Sequence, residues 1–241
     1  MKLYNTTNGV NWTLVSTIYD GPGADETDFE FLPDGSIITS MRIQSFEILG
    51  DNSRNTLIST AEYPYVSWNR TISTINRLDG PCLFTADNKT FAIGRFQPHR
   101  DSLFHQTGSA FSMKKTSLFY IESDRLVYLS DLPSNGDTSY PAAVVRNGFV
   151  YISYYSCVPL FDYPWFLGME FPTSIYIAKI NLTSLITLGS KKNYEYVNGI
   201  YTAPTFPSID YGYIIGWIII CGLIGTLLIR KVVLIEKIRE E

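Results

Sequence analysis

Along most of this chain the apolar residues come in short runs of β-branched and aromatic side chains, cut by Gly, Pro, Asn and Asp. That pattern predicts strands joined by turns. Residues 12–18 predict a strand that leads into a loop holding Gly21, Pro22 and Gly23. Residues 27–32 and 36–42 flank Pro33-Asp34-Gly35, a hairpin signal. The unit recurs: residues 81–85 and 90–94 flank Ala86-Asp87-Asn88-Lys89, 116–122 and 126–129 flank Ser123-Asp124-Arg125, and 141–146 and 149–155 flank Asn147-Gly148. Residues 174–180 predict a further strand. Repetition of antiparallel units every few tens of residues predicts an all-β fold of radially repeated or stacked sheets.

One stretch breaks the pattern. Residues 213–229 (YIIGWIIICGLIGTLLI) carry no charge, and with 232–235 beyond Arg230 and Lys231 they predict one C-terminal transmembrane α-helix. Four Lys/Arg follow it, so the positive-inside rule puts the C-terminus in the cytoplasm and the N-terminal domain outside the cell. The expected organisation is an outer β domain over 1–197, an extended stalk over 198–212, a cell-membrane span over 213–235 and a cytoplasmic tail over 236–241. Sequons at Asn5, Asn11, Asn69, Asn88 and Asn181 all precede the span, as an exported domain allows. Residues 1–20 contain no signal-peptide core, so the expectation is either insertion by the last helix alone or a missing N-terminus. Cys82 and Cys157 permit one disulfide and require none.

With 45% apolar and 17% charged residues the chain has the composition of a folded protein. Its net charge of −4 and scattered Lys/Arg offer no footprint for nucleic acid. No phosphate loop, Cys/His metal spacing or Gly-x-Ser-x-Gly elbow occurs; no cofactor or metal is expected, and His99 and His105 lack nearby partner ligands.

Four stretches carry a family pattern. YNTTNGVNWT (4–13) resembles a degenerate Asp-box, with Asn8 in place of the usual aspartate. DETDFEFLPDGSIITSMR (25–42) resembles the sialidase hairpin that begins near a glutamate, here Glu26, and ends on an arginine, here Arg42. GPCLFTADNKTFAIGR (80–95) is similar to a blade whose last strand delivers an inward arginine, here Arg95, and SNGDTSYPAAVVRNGFVYISYYS (134–156) to the blade presenting the active-site tyrosine. The resemblance, over most of 4–182, is to the sialidase (neuraminidase) superfamily. It implies a partial six-bladed β-propeller of about four blades, at ~40–50 residues per blade.

The family chemistry implies roles for these residues. A substrate carboxylate is held by arginines, whose forks donate paired hydrogen bonds, and a neutral phenol avoids the repulsion a carboxylate nucleophile would meet at an anionic sugar. Tyr140 matches the nucleophile, Glu26 its base, Arg42 and Arg95 two members of the clamp, and Asp137 a pocket carboxylate. The first arginine and the acid aspartate belong to a blade before Met1, so the expectation is a truncated, inactive exo-α-sialidase-like glycosidase. Its implied partner is an acidic glycan or glycoconjugate. The alternative is a non-catalytic, glycan- or protein-binding cell-surface propeller.

Overall fold

The computed structural model describes residues 1–43, 55–97, 112–122, 125–157, 163–190, 196–197 and 200–201. The chain divides into two compact units, 1–195 and 196–241. The expected membrane span and tail, and most of the expected stalk, lie outside the described residues. Among the described residues no helix is long and apolar enough to cross a membrane. In the second unit only a short hairpin is described, Tyr196–Val197 paired with Ile200–Tyr201.

The first unit is mostly β. Strands β1 (Lys2–Asn5) and β2 (Thr13–Thr17) pair by themselves. β3 (Ala24–Phe31), β4 (Ile37–Ile43), β5 (Asn55–Ala61) and β6 (Asn69–Asn76) form a four-stranded antiparallel sheet in chain order. β7 (Asp79–Ala86), β8 (Lys89–Phe96), β9 (Lys115–Glu122) and β10 (Arg125–Asp131) form another. β11 (Thr138–Arg146), β12 (Phe149–Cys157) and β13 (Thr173–Asn181) form a three-stranded sheet. These up-and-down sheets resemble propeller blades. Their first strands, β3, β7 and β11, pack side by side, and β6 packs on β10.

Every hairpin expected from its turn residues forms. Asn147 and Gly148 both take positive φ between β11 and β12, as a two-residue hairpin turn of this kind requires. The strand reading missed β1, β5 and β6. β5 and β6 are joined by a seven-residue connection rather than a tight turn, and β5 buries Thr56 and Ser59, polar residues that blur the alternation. It also missed two helices, α1 (Trp165–Gly168) and α2 (Leu182–Ser190); Asn181 Oδ1 accepts from the Ser184 N–H at the start of α2.

The Asp-box-like stretch forms the turn between β1 and β2. Asn8 Oδ1 accepts from the N–H groups of Val10 and Asn11, and Thr6 Oγ1 from those of Asn8 and Gly9. An asparagine oxygen does here what an aspartate would do. Trp68 Nε1 donates to Ser16 Oγ and Arg70 to the Thr17 and Ile18 carbonyls, fastening β2 to the neighbouring sheet. An apolar cavity of about 550 Å³, lined by residues including Leu3, Trp12, Phe29 and Trp68, lies at this end.

Two apolar clusters hold the sheets together. One joins Phe84, Phe91, Ile93, Leu118, Val150, Ile152 and Leu185, fusing the β7–β10 and β11–β13 sheets under α2. The other joins Ile18, Ile37, Met41, Leu57 and Trp68. Cys82 and Cys157 are both free. The five sequon asparagines are exposed.

Candidate active site

The three first strands share one irregularity. Register shifts between Ala24 and Thr27 in β3, between Asp79 and Cys82 in β7, and between Ser139 and Ala142 in β11. Each bulge lies near the start of its strand, where it re-aims a side chain that the regular alternation would direct elsewhere. The residues so placed are Asp25 and Glu26, Gly80, and Tyr140. Pro81 and Pro141 follow in the second and third bulges, where no ladder N–H is needed. The second strands contribute from their far ends: Arg42 on β4 and Arg95 on β8, the latter directly opposite Asp79.

Tyr140 and Glu26, 114 residues apart, meet: the Tyr140 hydroxyl donates to Glu26 Oε1. Arg42 Nη1 donates to Glu26 Oε2 at 2.6 Å, and the Gly80 N–H to the same oxygen at 2.7 Å. Three donors thus fix this carboxylate from three strands. Tyr140 sits at φ +47°, a left-handed conformation costly for a residue with a Cβ. Gly80, itself at φ +54°, leaves the room the ring needs: a Cβ there would lie 2.8 Å from Tyr140 Cδ1 and 2.5 Å from Ser139 Oγ. Tyr155 stacks on Tyr140 at 6.1 Å.

Behind this pair lies a charge network centred on buried Asp79. Arg77 meets it with Nε at 2.5 Å and Nη2 at 2.8 Å, Arg95 Nε lies at 3.4 Å and Arg42 Nε at 3.6 Å. Arg42 also bonds half-exposed Asp25 at 2.9 Å. Burial works against the Arg42 charge, but Asp79, Glu26 and Asp25 outweigh it and hold the guanidinium pKa above its ordinary value. Asp137 Oδ1 accepts from Arg95 Nη1 at 3.2 Å, Tyr155 Oη at 3.0 Å and Trp165 Nε1 at 2.8 Å. Lys114, just before β9, places its ammonium 4.4 Å from the Trp165 ring centroid.

The Tyr140 phenol is pushed up first by its bond to Glu26, then by burial and by the Glu26 charge, with Arg95 and Arg42 opposing. It is held neutral. An attack by its oxygen would hand the proton to Glu26 Oε1, which already accepts it.

The structure brings all five sequence-derived residues into one constellation: Glu26, Arg42, Arg95, Asp137 and Tyr140 are joined by direct contacts or through Asp79. The sequence reading gave no role to Arg77, Asp79, Lys114, Tyr155 or Trp165. Arg77-x-Asp79 ahead of Gly80-Pro81 was a usable signal, a close charge pair at a strand start. His99 and His105 lie outside the described residues. Among the described residues no group of three or more His, Cys, Asp or Glu is arranged to hold a metal ion.

No family model and no curated protein matches this chain. Solved structures do, over part of their length. An α-L-arabinanase from Penicillium chrysogenum, complexed with arabinobiose, is 15% identical over 68% of this chain and 47% of its own, with a TM-score of 0.43. A Bacteroides ovatus GH43B protein from a xyloglucan locus is 15% identical over 86% of this chain and 36% of its own, with a TM-score of 0.44. A GH32 β-fructofuranosidase from Bombyx mori is 12% identical over 75% of this chain and 41% of its own, with a TM-score of 0.41. The chain spans less than half the length of each. At that level of likeness no activity passes from them to this chain; it is similar, in part of its fold, to propeller glycoside hydrolases.

Proposed function

We propose that this chain is part of a membrane-anchored, outward-facing, sialidase-like six-bladed propeller whose site recognises an acidic glycan. The observation that carries the reading is the Tyr140–Glu26 hydrogen bond, made across 114 residues beside Arg42 and within reach of the Arg95 network. In this reading Arg42 and Arg95 attract the sugar carboxylate and Asp137 lines the pocket. Tyr140 Oη attacks the anomeric carbon as its proton passes to Glu26 Oε1, and the bond to the leaving oxygen breaks. The leaving oxygen takes its proton from a general acid. The resemblance implies an aspartate, with a further arginine, on an earlier blade, so hydrolysis is proposed for a longer chain that carries both.

A non-catalytic, glycan-binding propeller is the second reading. One observation favours it: each site carboxylate among the described residues, Asp25, Glu26, Asp79 and Asp137, is already engaged by a cation or a polar donor, so none is placed as the acid.

The test is hydrolysis of a fluorogenic sialoside by the complete gene product. Glu26→Gln should lower kcat by roughly 10²–10⁴-fold, and Tyr140→Phe should remove the covalent route while leaving sugar binding intact. Full activity in Tyr140→Phe would rule out the nucleophile. Binding that is lost on Arg42→Ala, without any turnover, would select the second reading.

A further inference from the structure

Lysine is rarely buried, yet Lys114 is 3% exposed. Its ammonium shares the Trp165 ring with a second cation, the Arg95 guanidinium, 5.6 Å from the ring centroid. Like charges placed together and out of water are held there only if something answers them. The nearby carboxylates are spoken for: Asp79 by Arg77 and Arg95, Asp137 by Arg95, Tyr155 and Trp165. Among the described residues no carboxylate reaches Lys114 at ion-pair distance. The ring face offsets part of the charge but takes no hydrogen bond of the strength an oxyanion accepts.

We propose that Lys114 is a further cation of the recognition pocket, meeting the acidic group of the ligand beside Arg95 on the Trp165 side. This rests on the acidic-glycan reading above and adds a specificity-determining residue that the sequence motifs do not contain. Part of the Arg42 and Arg95 charge is already answered by carboxylates of the protein before a ligand arrives. Lys114 is the cation whose balance an incoming oxyanion completes. A lysine there, set against the flat Trp165 ring, also selects a ligand whose acidic group projects from a face that can lie along an aromatic surface.

The experiment is calorimetric titration of the full chain with N-acetylneuraminic acid and with its methyl ester. The wild type should prefer the acid. Lys114→Met should weaken the acid by about ten- to a hundredfold and leave the ester little changed, with Lys114→Arg restoring most of the preference. Lys114→Gln serves as a second neutral variant should Lys114→Met fail to fold. If the neutral variant binds the acid as the wild type does, Lys114 only packs on Trp165 and the inference fails while the glycan reading stands. If the wild type itself does not distinguish acid from ester, the glycan reading fails and this inference with it.

Discussion

Arg42 and Arg95 occupy corresponding places, each near the end of the second strand of its sheet, yet their surroundings differ. Around Arg42 stand three carboxylates, Asp25, Glu26 and Asp79, and Glu26 draws in the neutral phenol of Tyr140 and the Gly80 N–H. Around Arg95 stand two, Asp79 and Asp137, and a second cation, Lys114, lies against the same indole. The first corner is closed electrostatically and holds the Tyr140–Glu26 pair in one geometry. With Arg77 also paired to Asp79, three cations of the second corner face two carboxylates, which suits it to receive an anion. Two copies of one structural position have thus been given different work by the residues near them.

Asp79 joins the corners, so removing it tests whether they are one network. Asp79→Ala leaves the buried guanidiniums of Arg77 and Arg95 without their shared counter-charge, and it should destabilise the fold by about 3–5 kcal/mol. Asp25→Ala, on the half-exposed partner of Arg42, should cost less than about 1 kcal/mol. Urea unfolding of the two variants beside the wild type measures both. Equal costs would mean that the corners are independent and that Asp79 is not their common centre.

Gly80 gives a cut through the first corner alone. Its N–H holds Glu26, and the Tyr140 ring lies over its Cα. Gly80→Ala adds a Cβ at positive φ against Ser139 and Tyr140, and it should destabilise by about 1–3 kcal/mol, read from the thermal or urea midpoint. Tyr140 should move away from Glu26 while Asp137, Trp165 and Lys114 keep their contacts. A neutral Gly80→Ala would show that the ring does not rest on the bulge.

These corners were unequally legible in the sequence. Glu26 and Arg42 bracket a hairpin whose turn, Asp34-Gly35, is a local signal, so both the strands and their separation could be read from neighbouring residues. Tyr140 stands before an equally plain turn at Asn147-Gly148. Asp79, Lys114 and Trp165 belong to no such unit: each lies at or just outside an element end, and only packing between sheets brings them together. Lys114 in particular reads as an ordinary solvated charge after a polar loop. β5 and β6 were missed for a related reason, since buried Thr56 and Ser59 look like loop residues until the sheet pairs their backbone. The bulges were invisible too, because an irregularity of register is a property of two strands.

The weakest effect, and the one that isolates the second corner, is a pH dependence. Burial first, and then Arg95, push the Lys114 amine from its ordinary 10.5 down to about 8, with Arg77 on the approach to β7 and Arg42 of β4 adding to the fall and Asp79 opposing it; Trp165 of α1 brings no charge. The unfolded chain keeps the higher value, so between the two it binds more protons than the folded one, and the Lys114 contribution to stability rises with pH across that window. Tyr155, pushed up first by burial and then by Asp137, acts in the opposite direction, but only once its unfolded phenol begins to ionise near pH 10. Thermal midpoints are therefore best compared from about pH 7.5 to 9.5. The wild type should gain on Lys114→Met as pH rises through that range. A constant gap between them would mean that the amine titrates outside it and that burial near Arg95 does not set its charge.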